Sequence, residues 1–131
     1  MITSQSIRFP VALEPAFSRA GVEAPKIRLV VRQDTQQPIS SVSKRYKLTT
    51  HADLDDHSKS FLHMFGEPES KYYLNRNGAV MMAEHTYRET TGDLQCGDVV
   101  GLRIYTENSY NTLKKVGVRI GALILKCLNG A

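Results

Sequence analysis

The sequence predicts an α+β fold, a twisted antiparallel sheet of four to six strands with one amphipathic helix packed on one face. Three observations predict it. In residues 116–128, Val116, Val118, Ile120, Ala122 and Ile124 share one face, and Leu123, Leu125 and Cys127 share the other. That is a strand whose far end is apolar on both sides. Leu54, Ser58, Phe61, Leu62 and Phe65 follow the i, i+4, i+7, i+8, i+11 spacing of one helix face. Asn75-Arg76-Asn77-Gly78 stands between two β-like runs, and Asn-Gly in that setting is the strongest short hairpin signal. Short turns of this kind join antiparallel strands, since parallel crossovers need a dozen residues or more.

Taken in order, residues 1–25 hold Pro10, Pro15 and Pro25 with little periodicity, and read as an irregular N-terminal arm of a single domain spanning 1–131. A short helical turn over Ala16 to Ala20, ended by Gly21, is the one element expected there. Lys26 to Arg32 is a strand with Ile27, Leu29 and Val31 inward and Arg28 outward, followed by turn residues from Asp34 to Pro38 and a return strand within Ile39 to Leu48. Thr50 is the helix N-cap, with Asp53 as its capping-box partner and Asp55 and Asp56 near the positive helix end. Gly66 and Pro68 stop that helix.

Lys71 to Leu74 and Ala79 to Tyr87 form the Asn-Gly hairpin, which Thr90 to Asp93 closes. Gly97-Asp98 opens a final hairpin of Val99 to Thr106 and the 116–128 strand, joined by the polar segment Glu107 to Thr112. The expected core is Leu54, Phe61, Leu62, Leu102, Ile104, Val118, Ile120, Leu123 and Leu125. Phe61, placed at the sheet–helix seam, is expected to cost about 3–5 kcal/mol when cut to alanine.

Composition narrows the function classes. With 131 residues, 41% hydrophobic and 23% charged, the chain has the make-up of an ordinary globular domain, and no apolar run approaches the ~20 residues of a membrane helix. Met1 to Ser6 lacks a basic start followed by an apolar block, and Cys96 and Cys127 are too few for a disulfide framework, so a cytoplasmic location is expected. The net charge of +4 is uneven: residues 1–50 carry eight bases and three acids, whereas residues 51–70 carry one base and five acids. An anionic partner suits that balance.

No sequence signature of an enzyme stands out. Glycine-rich phosphate loops, GxSxG and HExxH are absent, so neither catalytic residues nor a cofactor are expected. His51, Asp53 and His57 cluster on the helix and define a weaker third class, a small metal-dependent hydrolase. The plainer reading is an acidic first turn beside a solvated histidine, without a metal. Lys44-Arg45-Tyr46-Lys47 is the densest basic run, and with Tyr72, Tyr73, Arg76, Tyr87 and Arg88 it suggests a face on which bases stack and phosphates pair. Alternating tyrosines and arginines on the wet face of a sheet are the competing explanation. Leu123, Leu125 and Cys127, apolar near the chain's end, are expected to contact a target or a second copy.

Tyr46-Lys47 before the helix, Gly97-Asp98, Asn108-Ser109-Tyr110 and Cys127-Leu128-Asn129-Gly130 occur in an order that resembles a domain of unknown function found in phage and plasmid proteins. Here Asn111-Thr112 stands where that family tends to have Asp-Gly. The resemblance implies a mobile-element origin. By analogy with small phage proteins it implies a non-enzymatic, anti-CRISPR or other anti-defence type inhibitor that binds a component of a host nucleic-acid-processing or defence complex. A single-stranded nucleic-acid-binding accessory protein is the alternative.

Overall fold

The computed structural model describes residues 2–93, 99–111 and 116–126. Within them lie seven strands and one α-helix: β1 (Val11–Phe17), β2 (Glu23–Arg32), β3 (Gln37–Ser43), α1 (His51–Leu62), β4 (Glu69–Asn75), β5 (Val80–Asp93), β6 (Val99–Ser109) and β7 (Gly117–Lys126). Every pairing is antiparallel. The expected α+β class and strand direction hold. The expected single sheet does not, because the strands divide into a three-stranded sheet in the order β1-β2-β3 and a four-stranded sheet in the order β4-β5-β6-β7.

Two strands of the three-stranded sheet lie where Lys26 to Arg32 and a return strand within Ile39 to Leu48 are expected, whereas β1 and the start of β2 replace the expected irregular arm. Prolines misled the sequence reading, and each sits where the ladder needs no donor. Pro15 lies at a register shift in β1, an edge strand. Pro25 precedes the point where β3 begins to pair, and Pro38 lies at the shift in the opposite edge strand. The expected helical turn before Gly21 is a hairpin turn, closed by Ser18 N–H to Val22 C=O at 2.8 Å. The inward face of β2 also differs. Val30 is fully buried and Ile27 is 45% exposed, because Val30-Val31 supplies apolar side chains at both parities where the register shifts.

Thr50 caps α1 as its sequence predicts: Thr50 Oγ1 accepts from Asp53 N–H at 3.0 Å, and the Asp53 carboxylate accepts in return from Thr50 N–H at 3.4 Å. After Leu62 a 3-10 turn (His63–Phe65) leads to Gly66, whose φ of 103° needs glycine. The helix buries His51, Leu54, Asp55, Ser58 and Leu62 against the four-stranded sheet. Leu54, Ser58 and Leu62 of the expected stripe are buried, but the face turns toward His51 and Asp55, and Phe61 sits at the rim, 36% exposed.

Two clusters form under the helix. Leu54 packs with Ile7, Met81 and Ala83, and Leu62 with Tyr87 and Ile104. A third cluster, Phe9, Val30, Val42 and Tyr110, joins the three-stranded sheet to the end of β6. Leu102 is half-buried, while Val118 and Ile120 are exposed rather than core. The side chains of Arg88, Leu123 and Leu125, together with Cys96, Gly97-Asp98 and Cys127 to Gly130, lie outside the described residues.

Two further boundaries shift. Strand β5 continues to Asp93, so Thr90 to Asp93 is strand rather than turn. Strand β6 extends through Ser109, which pairs with Val80 of β5, and the buried Asn108 donates its amide to the Thr49 carbonyl at 2.8 Å.

The Asn-Gly hairpin forms as expected, with positive φ at Arg76, Asn77 and Gly78. At Gly78 a Cβ would lie 2.7 Å from Phe9 Cζ. That ring is held by the Arg32 guanidinium 3.9 Å above it and by His51 and Tyr110 at its edges. Gly78→Ala is therefore expected to cost about 2 kcal/mol or more, from backbone strain and overpacking together. An unchanged urea midpoint would contradict this packing.

Candidate functional site

Strand register decides which residues can meet a partner. Cross-strand pairing puts Ser70, Tyr72 and Leu74 of β4 on the helix-facing side, with Met81, Ala83 and His85 of β5. Ile104 and Thr106 of β6 continue this face, and their partners on β7 are Ile120 and Val118. Helix α1 covers the first three strands. It leaves β7 open, with Val118 48% and Ile120 65% exposed, and Val116 just before the strand 51% exposed. β7 is also an edge strand of its sheet.

The opposite side carries Tyr73, Glu84, Arg103, Tyr105, Glu107 and Arg119. Its arginines are neutralised: Arg103 pairs with Glu84 at 3.2 Å, and Arg119 pairs with Glu107. Tyr72 and Tyr87, expected on a stacking surface, both face the helix. Tyr72 Oη donates to Asp55 at 2.9 Å and Tyr87 Oη to the Leu62 carbonyl. Burial and the Asp55 charge push the Tyr72 hydroxyl pKa upward. Arg76 is exposed at the hairpin tip.

Lys44, Arg45, Tyr46 and Lys47 follow β3 and belong to the other sheet. The three cations are exposed. Tyr46 is half-buried beside the Phe9 cluster, and its hydroxyl donates to the Ser109 carbonyl at 3.4 Å. The residues expected on one face thus lie on two sheets, and Tyr72 turns inward.

The histidines of the helix take separate roles. His51 is fully buried and stacks on Tyr110 with ring centroids 4.1 Å apart. Its Nε2–H donates to the Gly78 carbonyl at 2.8 Å, and its Nδ1 accepts from the Asn108 amide at 3.0 Å. Both partners suit the neutral ring, and burial lowers its pKa to about 4. His57 is exposed, with Nδ1–H donating to the Asp53 carbonyl at 2.7 Å. Among the described residues no group of three or more His, Cys, Asp or Glu is placed to hold a metal ion.

One polar cluster was not foreseen. Asp55 is buried at the helix–sheet seam, where it accepts from Arg8 at 2.7 Å and from Tyr72. Beside it a cavity of about 110 Å³ is lined by Ser70 and His85, among others. Ser70 Oγ and His85 Nδ1 are 2.7 Å apart, and the buried Nε2 has no partner. Burial lowers the His85 pKa, opposed by the nearby Asp55 charge. Because Arg8 and Tyr72 already engage Asp55, the Ser70–His85 pair has no orienting carboxylate among the described residues. Nothing in the sequence pattern flags it, since Asp55 reads as a helix-dipole acid and Ser70 falls between the helix stop and the strand expected from Lys71.

Compared with protein-family models, curated proteins and solved structures, the chain matches none of them.

Proposed function

We propose that this chain is a small non-enzymatic binding protein of a phage or other mobile element. It docks, in the host cytoplasm, on a protein component of a host nucleic-acid-processing or defence complex. The observation that carries the reading is the apolar face of the edge strand β7, where Val118 and Ile120 stand exposed beside Val116 just before the strand. An unpaired strand edge flanked by exposed β-branched side chains offers backbone hydrogen bonds and apolar contact at once, the pattern used in β-strand addition. The mobile-element origin rests on the short motifs quoted above, and the contact expected of Leu123, Leu125 and Cys127, which by alternation fall on the other face, is a separate part of this proposal.

The test is capture of a partner by tagged protein from host lysate, with and without nuclease, using wild type and a Val118→Asp/Ile120→Asp variant. Both positions are exposed, so the variant's stability is expected to stay within about 0.5 kcal/mol per substitution. Nuclease-resistant capture that falls at least about tenfold in the folded variant is the expected result. Equal capture by the two proteins would remove β7 as the docking strand. Light scattering of the wild type separates a second copy of the chain from a foreign partner.

A further inference from the structure

Four cations packed around the helix and the four-stranded sheet are already paired. Arg8 and Lys59 pair with Asp55 and Asp56, Arg103 with Glu84, and Arg119 with Glu107. Five others, Lys26, Arg28, Lys44, Arg45 and Lys47, make no ion pair among the described residues. The three-stranded sheet gathers these five at one end. Lys44 N–H donates to the Lys26 carbonyl at 3.0 Å, and Ile27 is the cross-strand partner of Ser43. Residues 11–47 hold seven bases and three acids, a net of +4 that equals the charge of the whole chain.

Two of these cations, Lys26 and Arg45, line an open groove of about 520 Å³ with Ile27, Ser41, Val42, Ser43 and Tyr46. The Ser41 and Ser43 hydroxyls are exposed and make no hydrogen bond among the described residues. Ile27, 45% exposed, and the half-buried Tyr46 ring give the groove an apolar floor. Arg28 and Lys44 line an adjoining recess, which also contains Glu14 and Glu23. Glu14 is engaged by the Gln33 amide at 2.9 Å.

We infer that this groove binds single-stranded nucleic acid without sequence preference, through phosphate contacts to Lys26, Arg45 and the serine hydroxyls and through packing of bases on Tyr46 and Ile27. Lysine, arginine and serine are ordinary phosphate partners, and a cationic groove with an aromatic floor is the composition single-strand binders use. An acidic polypeptide would satisfy the cations but would leave the apolar floor unused. The surface is separate from β7, so the inference does not rest on the docking proposed there.

The test is fluorescence anisotropy with labelled oligothymidylate and oligouridylate over a salt series. Each phosphate neutralised by a lysine or arginine contributes about −0.7 to the log–log salt slope of a single strand, so Lys26 and Arg45 together with Arg28 and Lys44 of the adjoining recess predict a slope near −3. Lys26→Glu/Arg45→Glu is expected to bind at least about tenfold more weakly, with a visibly shallower slope. Lys44→Glu/Lys47→Glu, on the loop alone, provides a second variant should the first fail to fold. Lys71→Glu/Arg76→Glu, on the β4–β5 hairpin, is expected to stay within about twofold of wild type. No binding by wild type, equal weakening by the hairpin variant, preference for duplex, or equal competition by polyglutamate would each overturn the inference.

Discussion

Lowering the pH from 7.5 to 4.5 is expected to cost this protein about 2.5 kcal/mol of stability through His51 alone. The ring is fully buried, with one nitrogen donating to Gly78 and the other accepting from Asn108. A proton on Nδ1 would face the Asn108 amide donor in a fully buried site, and the folded-state pKa accordingly lies at about 4, against 6.5 when unfolded. Above pH 6.5 the ring is neutral in both states and the contribution is complete. As pH falls below 6.5 the unfolded chain takes up the proton first, and stability drains until the folded pKa is reached.

His85, also buried with a lowered pKa, acts in the same direction. Asp34 and Asp56, held below the usual carboxylate range by Arg32 and Arg8, lose their contribution only at lower pH. Urea unfolding at pH 7.5, 6.5, 5.5 and 4.5 isolates the histidines. His51→Gln is expected to lower stability at pH 7.5 and to flatten the profile. A wild-type profile level across this range would contradict the buried neutral ring.

His51 also shows why the fold was more legible than the site. Caps, hairpin and strands are written in local residue types: Thr50 with Asp53, Asn77-Gly78, and the alternation in 116–124 all specify their own backbone. Burial of a polar side chain has no such local signature. His51 and Asp55 read as solvated members of an acidic helix start. Their partners, Asn108, Gly78, Arg8 and Tyr72, come from distant parts of the chain. The basic groove was half legible for the same reason. Lys44-Arg45-Tyr46-Lys47 is contiguous, whereas Lys26 and Arg28 join it only through the exact β2–β3 register, which shifts at Val30-Val31 and is not written in either strand alone. The Tyr72-Tyr73 pair shows the converse. Adjacent strand residues point to opposite faces, so one ring turns to the helix and the other to solvent.

The helix face makes the last expected result a comparison of two substitutions. Ile104→Ala should cost about 2–5 kcal/mol, because Ile104 is fully buried on β6 against Leu62 and Tyr87, and the strands on either side limit collapse of the cavity. Phe61→Ala, expected from the sequence alone to cost as much, should cost no more than about 1.5 kcal/mol. Its ring is 36% exposed and its aromatic contact is an edge-on one to Phe65, centroids 5.6 Å apart. The difference follows from the rotation of α1, which turns His51 and Asp55 inward at the expense of Phe61. Urea midpoints for both variants at pH 7.5 decide it. Equal losses would mean that Phe61, not Leu62, fills the seam with the sheet. The buried Arg8–Asp55–Tyr72 network, which requires the present rotation, would then have to be abandoned as well.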